Sequence, residues 1–262
     1  MEFKKVVGNR RSIRYYQPWR DVEREKIQTI LEAARLASRV MNAPYPKPVV
    51  VYRKELSEAE INSFKTPTTT AQLDMAPVWI FWYANMDALK DAHENGTLHG
   101  LVDVGALNPS HGWSHSYIED IVWAQLLHPL SSSKEIMTTL VSEETALAIC
   151  QALLCAVDEG LGTQLVSCNF AVANEMLGVP ANYIPVWVQL LGYPAEDPQT
   201  GGQRPRETLE EMASEGKFGN PFVPDPKVTE KLREVGMIQD TAPAPWRQAE
   251  LRALAHMLDL PE

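Results

Sequence analysis

The segment Ala76-Pro77-Val78-Trp79-Ile80-Phe81-Trp82-Tyr83 has the strongest strand character in this sequence of 262 residues. Aromatic and β-branched side chains favour strands, and apolar residues occupy both alternations of the run. A strand of that kind is buried on both faces and lies in the middle of a sheet. The sequence therefore predicts a central strand at 76–83.

Segments on either side of this run have the patterns of further strands and of helices. Apolar runs bounded by turn residues predict further strands at Val49–Tyr52, Gln164–Asn169 and Ile184–Pro194. Helical spacing and capping residues predict helices at 21–37, 56–64, 87–93, 118–127, 142–157 and 173–177. The helix that begins after Ser142 is apolar nearly all round, which places it in the middle of the fold or at a subunit interface.

Composition limits the classes of partner and compartment. The formal net charge of −10 argues against general binding of nucleic acid or of an anionic membrane. Three cysteines, Cys150, Cys155 and Cys168, without CxxC spacing indicate a reducing compartment. The N-terminus has no apolar signal core, and no uninterrupted apolar run is long enough to span a bilayer. We therefore expect a cytoplasmic protein.

The segment Asn9-Arg10-Arg11-Ser12-Ile13-Arg14 is a dense basic cluster on this acidic chain. Arginine is well suited to bidentate recognition of phosphate or carboxylate, and a serine hydroxyl adds a donor. The segment alone leaves two interpretations open, one wall of a phosphate site or a solvated turn with surface ion pairs. A second pair of arginines, Arg204 and Arg206, follows far along the chain.

The region 96–140 has weak periodicity and contains four of the six histidines, which indicates a lid or a partner surface more than a passive connection. His111, His115 and Glu119 are spaced at i, i+4 and i+8. Gly112 makes a helix doubtful there, and in a helix the outer two residues would stand about 12 Å apart along the axis. That separation is too large for one ion, so we predict no metal site.

The order of features along residues 3–210 resembles the FMN-dependent nitroreductase superfamily. The motifs that carry the resemblance are the basic segment at 9–14, LEAARLA at 31–37, Asn42 in the loop after it, Ala76-Pro77 before the buried strand, GLGT at 160–163, LGVP at 177–180, LGYP at 191–194, and Arg204 with Arg206. The resemblance implies an α+β fold, with a mixed sheet flanked by helices, in an intertwined homodimer that holds FMN at the subunit interface. Residues 1–210 would form the FMN-binding domain, and 211–262 an extension that wraps the domain or the partner subunit.

The resemblance also implies roles for particular residues. Arg10, Ser12, Arg14, Arg204 and Arg206 would bind the FMN phosphate and ribityl chain, with backbone or ring-edge contacts from Arg11. Asn42 would bind the edge of the isoalloxazine ring, and the backbone N–H groups of Ser167 and Cys168 would approach flavin N5 and O4. No catalytic side chain is required, because hydride passes through flavin N5 while the protein supplies position and electrostatics.

The substrate loop departs from the family pattern, which makes substrate class less predictable than cofactor. Of the usual motif after the first helix only Asn42 remains; Arg39 replaces a serine and Pro44 a glutamine, and the turn at Thr68 also differs. Arg39, Met41 and Thr68 are the candidate substrate residues. The leading hypothesis is ping-pong hydride transfer from NAD(P)H to an electrophilic small molecule such as a nitroaromatic or quinone. The alternatives are a specialised reductase or dehydrogenase of one metabolite, anionic if Arg39 attracts it, and a non-catalytic flavin-binding protein.

Overall fold

A four-stranded sheet organises the fold in the computed structural model, which describes residues 2–260. Its strands are β1 (Pro46–Tyr52), β2 (Val78–Asn85), β3 (Gly162–Val166) and β4 (Tyr183–Gly192). The spatial order is β1-β2-β4-β3, and neighbouring strands are antiparallel. Ser12 adds a single parallel bridge to Thr163 in the edge strand β3.

Strand β2 is central, and its eight residues are all buried, as the sequence predicted. Val78, Ile80 and Trp82 face one apolar core, while the alternate residues Trp79, Phe81 and Tyr83 face another. The sheet therefore separates two cores, and each face needs its own covering layer. This arrangement confirms the α+β fold class, but the four strands form an antiparallel sheet and not the mixed sheet that the resemblance implied.

Thirteen α-helices, α1 to α13, are present within residues 2–260. In chain order they are Phe3–Asn9, Arg24–Arg35, Glu58–Phe64, Ala71–Met75, Ala88–Glu94, Thr97–Asp103, His115–Tyr117, His128–Ser132, Lys134–Asp158, Phe170–Met176, Leu209–Met212, Pro226–Glu234 and Arg247–Met257. Helices α2 and α9 cover the first core, and α3 and α10 cover the second. Helix α9 begins eight residues before the predicted cap at Ser142, and its N-cap is Ser133. The prediction was wrong because the Ser142 hydroxyl donates to the carbonyl of Thr138, inside the helix, at 2.7 Å.

Helix α9 is the long central helix of the structure. This helix of 25 residues is long and apolar enough to cross a membrane by length and composition, although Glu143 and Glu144 interrupt its apolar run. It packs against α2 and against all four strands, which fits the core helix of a globular fold. Leu147 and Cys150 remain exposed on its outer side.

The region 96–140 is mostly helical. It contains α6, α7, a π-helical stretch at Ile118–Leu127 and α8. One carboxylate joins it to α5, since the Nε2 atoms of His93 and His99 each lie 3.0 Å from an oxygen of Glu119. The region thus folds as a helical layer, held partly by histidine–carboxylate contacts.

The C-terminal extension packs on its own chain. Gly8 in α1 lies so close to Gly236 that a Cβ at Gly8 would overlap the Gly236 carbonyl and sit 2.7 Å from the Cα of Met237. At the far end, Leu258 and Leu260 pack against the second core. The extension therefore covers both α1 and the edge of the domain.

Candidate functional site

The basic segment runs along one end of the sheet and is fixed by its backbone. The Ile13 amide donates to the Thr163 carbonyl at 3.1 Å, and the Gln17 amide donates to the Tyr193 carbonyl at 2.9 Å. Ile13 itself is buried in the second core. These anchors fix the path of the segment's backbone and leave the Arg14 side chain exposed.

The structure brings the two arginine-rich segments together. Burial and the neighbouring charge of Arg206 lower the pKa of Arg10 below its ordinary value. Burial and the charges of Arg10 and Arg204 likewise lower the pKa of Arg11. Among residues 2–260, no ion pair within 4.0 Å involves Arg10, Arg14, Arg204 or Arg206. Converging like charges without a carboxylate counter-ion form a site suited to an anion.

Arg11 differs from its neighbours because its guanidinium is committed to the protein itself. The group is buried and donates to the Gly8 carbonyl at 2.7 Å and to the Gln239 side chain at 2.7 Å. A third bond runs from Nε to the Gln199 carbonyl at 3.2 Å. Arg11 therefore joins α1 to the C-terminal extension, and its guanidinium is turned away from ligand binding.

The remaining residues of the cluster keep donors available. The Arg14 side chain is exposed and folds back to the Ser12 carbonyl at 3.0 Å. Arg204 donates to the Thr200 carbonyl at 3.1 Å through one nitrogen, and Arg206 is exposed. Since a guanidinium carries five N–H donors, these contacts leave Arg14 and Arg204 free to bind a further group.

The candidate substrate loop is a strained 3₁₀ turn at Val40–Asn42. Met41 and Asn42 both have positive φ, 57° and 52°, which is uncommon for residues other than glycine. The carboxylate of Glu144 in α9 accepts the Val40 amide at 2.9 Å and is itself buried. Glu144 therefore fixes the turn that displays Asn42 to solvent.

Arg39 lies at the N-terminal edge of this turn and is half-buried. Its Nη2 donates to the Arg35 carbonyl at 3.0 Å, whereas its buried Nε has no acceptor among residues 2–260. Burial and the charge of Arg35 lower the pKa of Arg39, while the charge of Glu144 raises it. Next to it, Met41 packs against the apolar residues of region 96–140. Two candidate substrate residues therefore lie beside that region.

Ser167 and Cys168 directly follow β3, as the expected strand end requires. Ser167 is exposed, while burial raises the pKa of the Cys168 thiol to about 12. Cys168 lies in the second core together with Tyr83, and its pKa argues against a thiolate role. Thr68 is exposed in the turn between α3 and α4 and contacts Thr66.

Within one chain the arginine cluster and the loop at 39–42 contact different sides of α9. Arg10 lies near Cys150, whereas Val40 contacts Glu144. Six helical residues separate the two positions by about 9 Å of rise and about 240° of rotation. None of the contacts described for residues 39–42 involves Arg10, Arg14, Arg204 or Arg206.

Three residues of these networks were missed by sequence reasoning. Glu196 accepts the amides of Arg14 and Tyr15, Gln239 accepts from Arg11, and Glu144 accepts the Val40 amide in the candidate substrate loop. The charge of Glu144 was no signal by itself, because the neighbouring Glu143 carries the same charge and is exposed. Nothing in the local sequence marks Gln239 or Glu196.

A family model and several solved structures indicate the same fold for this chain. The Nitroreductase family model matches residues 7–108. Solved structures align over four-fifths of this chain. The chain has the nitroreductase fold. A nitroreductase family protein from Streptococcus pneumoniae TIGR4 aligns with TM-score 0.63 and 20% identity, covering 82% of this chain and 100% of the other. These matches confirm the resemblance to the nitroreductase superfamily.

Two further nitroreductase-fold structures have informative descriptions. A proposed nitroreductase from Exiguobacterium sibiricum 255-15, in complex with FMN, aligns with TM-score 0.63 and 20% identity, covering 82% of this chain and 97% of the other. A proposed NAD(P)H:FMN oxidoreductase from Staphylococcus epidermidis ATCC 12228 aligns with TM-score 0.64 and 17% identity, over 82% and 95%. A search of curated proteins by sequence found no significant match. At 17–20% identity these solved structures show the fold, and the family model matches 102 of the 262 residues.

Proposed function

We propose that this protein is an FMN-dependent NAD(P)H oxidoreductase. The observation that carries the proposal is the convergence of Arg10, Arg204 and Arg206, from segments almost 200 residues apart, without a carboxylate counter-ion among residues 2–260. A terminal phosphate would neutralise that charge and accept several charge-assisted hydrogen bonds. The description of the Exiguobacterium relative with bound FMN supports the choice of ligand.

The residues present fit this cofactor. Arg10, Ser12, Arg14, Arg204 and Arg206 would hold the phosphate and ribityl chain, and Asn42 and the backbone at 167–168 would hold the ring. When bound, FMN would supply hydride acceptance and donation at N5. The chain itself would orient the ring, stabilise its charge through the arginines and backbone amides, and exclude water with the helices of region 96–140.

The proposed reaction uses NAD(P)H as electron donor and an electrophilic small molecule, such as a nitroaromatic or a quinone, as acceptor. Donor and acceptor would occupy one site in turn, which gives ping-pong kinetics. The description of the Staphylococcus relative as an NAD(P)H:FMN oxidoreductase supports the donor. No acid, base or nucleophile from the protein is needed in this scheme, and no metal.

The proposal includes a cytoplasmic homodimer with the cofactor at the subunit interface. Exposed apolar side chains on α9, among them Leu147 and Ile136, provide a surface that a second copy could bury. A dimer would also allow the arginine cluster of one subunit to face Asn42 of the other. Residues 1–210 would form the domain, and the extension would complete it. The free cysteines are consistent with a reducing compartment.

A second candidate function keeps the flavin but acts on one anionic metabolite. The buried Nε of Arg39, which has no acceptor among residues 2–260, favours it, because an anion could supply that acceptor. Anaerobic mixing with NADH and NADPH separates the two functions. Rapid bleaching of the flavin by either nucleotide would count against the specialised reaction.

The deciding experiment for the main proposal is the absorbance spectrum of the purified protein, followed by anaerobic titration with NADH and NADPH. We expect a flavin spectrum that either nucleotide bleaches and that a quinone restores. The variant Arg206→Gln should weaken FMN binding by about 10- to 100-fold, because a charge-assisted bond contributes about 1.5–3 kcal/mol. The control Arg252→Gln, an exposed arginine in α13, should bind FMN as the wild type does. A colourless protein that cannot be reconstituted with FMN would refute the proposal.

A further inference from the structure

Glu196, just after β4, is a buried carboxylate with no exposed side-chain surface. Its Oε1 accepts the backbone amide of Arg14 at 2.5 Å and that of Tyr15 at 3.1 Å. Its Oε2 accepts the guanidinium of Arg247 at 2.5 Å. One carboxylate therefore ties the backbone of the basic segment to a side chain more than 200 residues later.

Arg247 is the first residue of α13 and is held on both sides. Its Nη1 donates to Glu250 at 2.7 Å, and Glu250 in turn accepts the Asp197 amide. Burial alone would lower the pKa of Arg247, but the hydrogen bonds to Glu196 and Glu250 outweigh it and raise that pKa. These bonds fix α13 against the residues that follow β4.

This pair needs an explanation beyond stability. Removing two charges from water costs about as much as their attraction returns, so apolar residues of similar volume would often stabilise a fold equally well. What the pair does provide is geometry, since the amides of Arg14 and Tyr15 meet one oxygen that Arg247 holds in place. The position of the basic segment therefore depends on α13.

We propose that Glu196 and Arg247 are positioning residues for the phosphate end of the cofactor site, and that α13 is part of that site. The inference rests on the proposed FMN function. Neither residue contacts the ligand in this arrangement. Each acts through the backbone of Arg14 and Tyr15, which sets where the guanidinium of Arg14 and its neighbours project. The C-terminal extension thereby controls selection for the phosphorylated flavin.

The test compares two flavins that differ only by the phosphate. Dissociation constants for FMN and riboflavin are measured with full-length apoprotein by flavin fluorescence. The variants are Arg247→Met, the double variant E196Q/R247M, and the matched control Arg252→Met on the same helix. In the double variant position 196 no longer carries a buried charge without a partner, but no arginine holds the glutamine side chain against the two amides. This variant carries the test if Arg247→Met alone does not fold.

We expect Arg247→Met and the double variant to weaken FMN binding at least tenfold while riboflavin binding changes less than threefold. Arg252→Met should retain the wild-type ratio. Equal weakening of both flavins would overturn the inference, because a merely structural role predicts that result. A wild-type ratio in the double variant would also overturn it. Wild-type protein that binds riboflavin and FMN equally would refute the phosphate site, whereas wild-type protein that binds neither would refute the proposed function itself.

Discussion

Replacing Glu144 with alanine is the sharpest test of how the loop at 39–42 is held. The substitution removes the acceptor of the Val40 amide, which donates to the buried carboxylate at 2.9 Å. A hydrogen bond to a charged acceptor contributes about 1.5–3 kcal/mol, and that contribution is lost in the variant. The strained turn at Met41 and Asn42 then loses the contact that maintains its positive φ values.

We therefore expect the free energy of unfolding to fall by about 2 kcal/mol. For a chain of this size the melting temperature should fall by about 4–8 °C. The measurement is urea denaturation at fixed protein concentration, combined with hydrogen exchange at the Val40 amide. The control is Glu143→Ala, the exposed neighbour on α9, which should change stability by less than about 0.5 kcal/mol. If both variants melt together and the Val40 amide stays protected, Glu144 does not hold the loop.

Three further outcomes follow from other contacts. Gly8→Ala should lower the free energy of unfolding by about 1–3 kcal/mol, because the new Cβ meets the backbone of the docked extension. The control Gly100→Ala has no atom within 4 Å of its Cβ and should not destabilise the protein in thermal melts. Cys168, with a pKa of about 12, should react with iodoacetamide at pH 8 roughly a thousandfold more slowly than an ordinary thiol, and rapid labelling by mass spectrometry in the folded protein would contradict its burial. If the site spans a two-fold dimer, co-expressed Arg206→Ala and Asn42→Ala chains should regain about a quarter of the wild-type turnover. Half of the dimers are then mixed, and each mixed dimer has one intact site of its two. No recovery of turnover would place both residues in one subunit's site.

The central layers of the fold could be predicted from sequence because local pattern and tertiary position agree there. Apolar residues on both alternations of 76–83 predict a strand buried on both faces, and β2 is that strand. The start of α9 was predicted wrongly because Ser142, followed by two glutamates, has the pattern of an N-cap. The hydroxyls of Thr138 and Ser142 instead donate to carbonyls one turn earlier in the helix. The local sequence alone cannot distinguish a serine that caps a helix from one whose hydroxyl bonds to a carbonyl inside it.

In the candidate site, too, local features could be predicted from the sequence, whereas long-range contacts could not. The arginine-rich segments could be recognised from composition, but their approach depends on α1 and the turn after β4 being brought together by the whole sheet. The predicted helix start at Ser142 would place Glu144 in a first turn, whereas Glu144 lies ten residues into α9 and accepts the Val40 amide. Glu196 and Arg247 form a pair separated by 51 positions, and no local pattern records such a partnership.

The burial of β2 has a consequence for how the protein is made. Its two partners in the sheet are β1, which precedes it closely, and β4, which begins about 100 residues after β2 ends. Translation proceeds at roughly 5–20 residues per second, so one edge of β2, a strand rich in tryptophan, phenylalanine and tyrosine, stays unpaired for about 5–20 s until β4 is synthesised. An unpaired apolar edge invites pairing with other chains during that interval. Slower synthesis beyond residue 85, or depletion of chaperones that bind nascent chains, should therefore reduce soluble yield far more than it alters the stability of the finished fold.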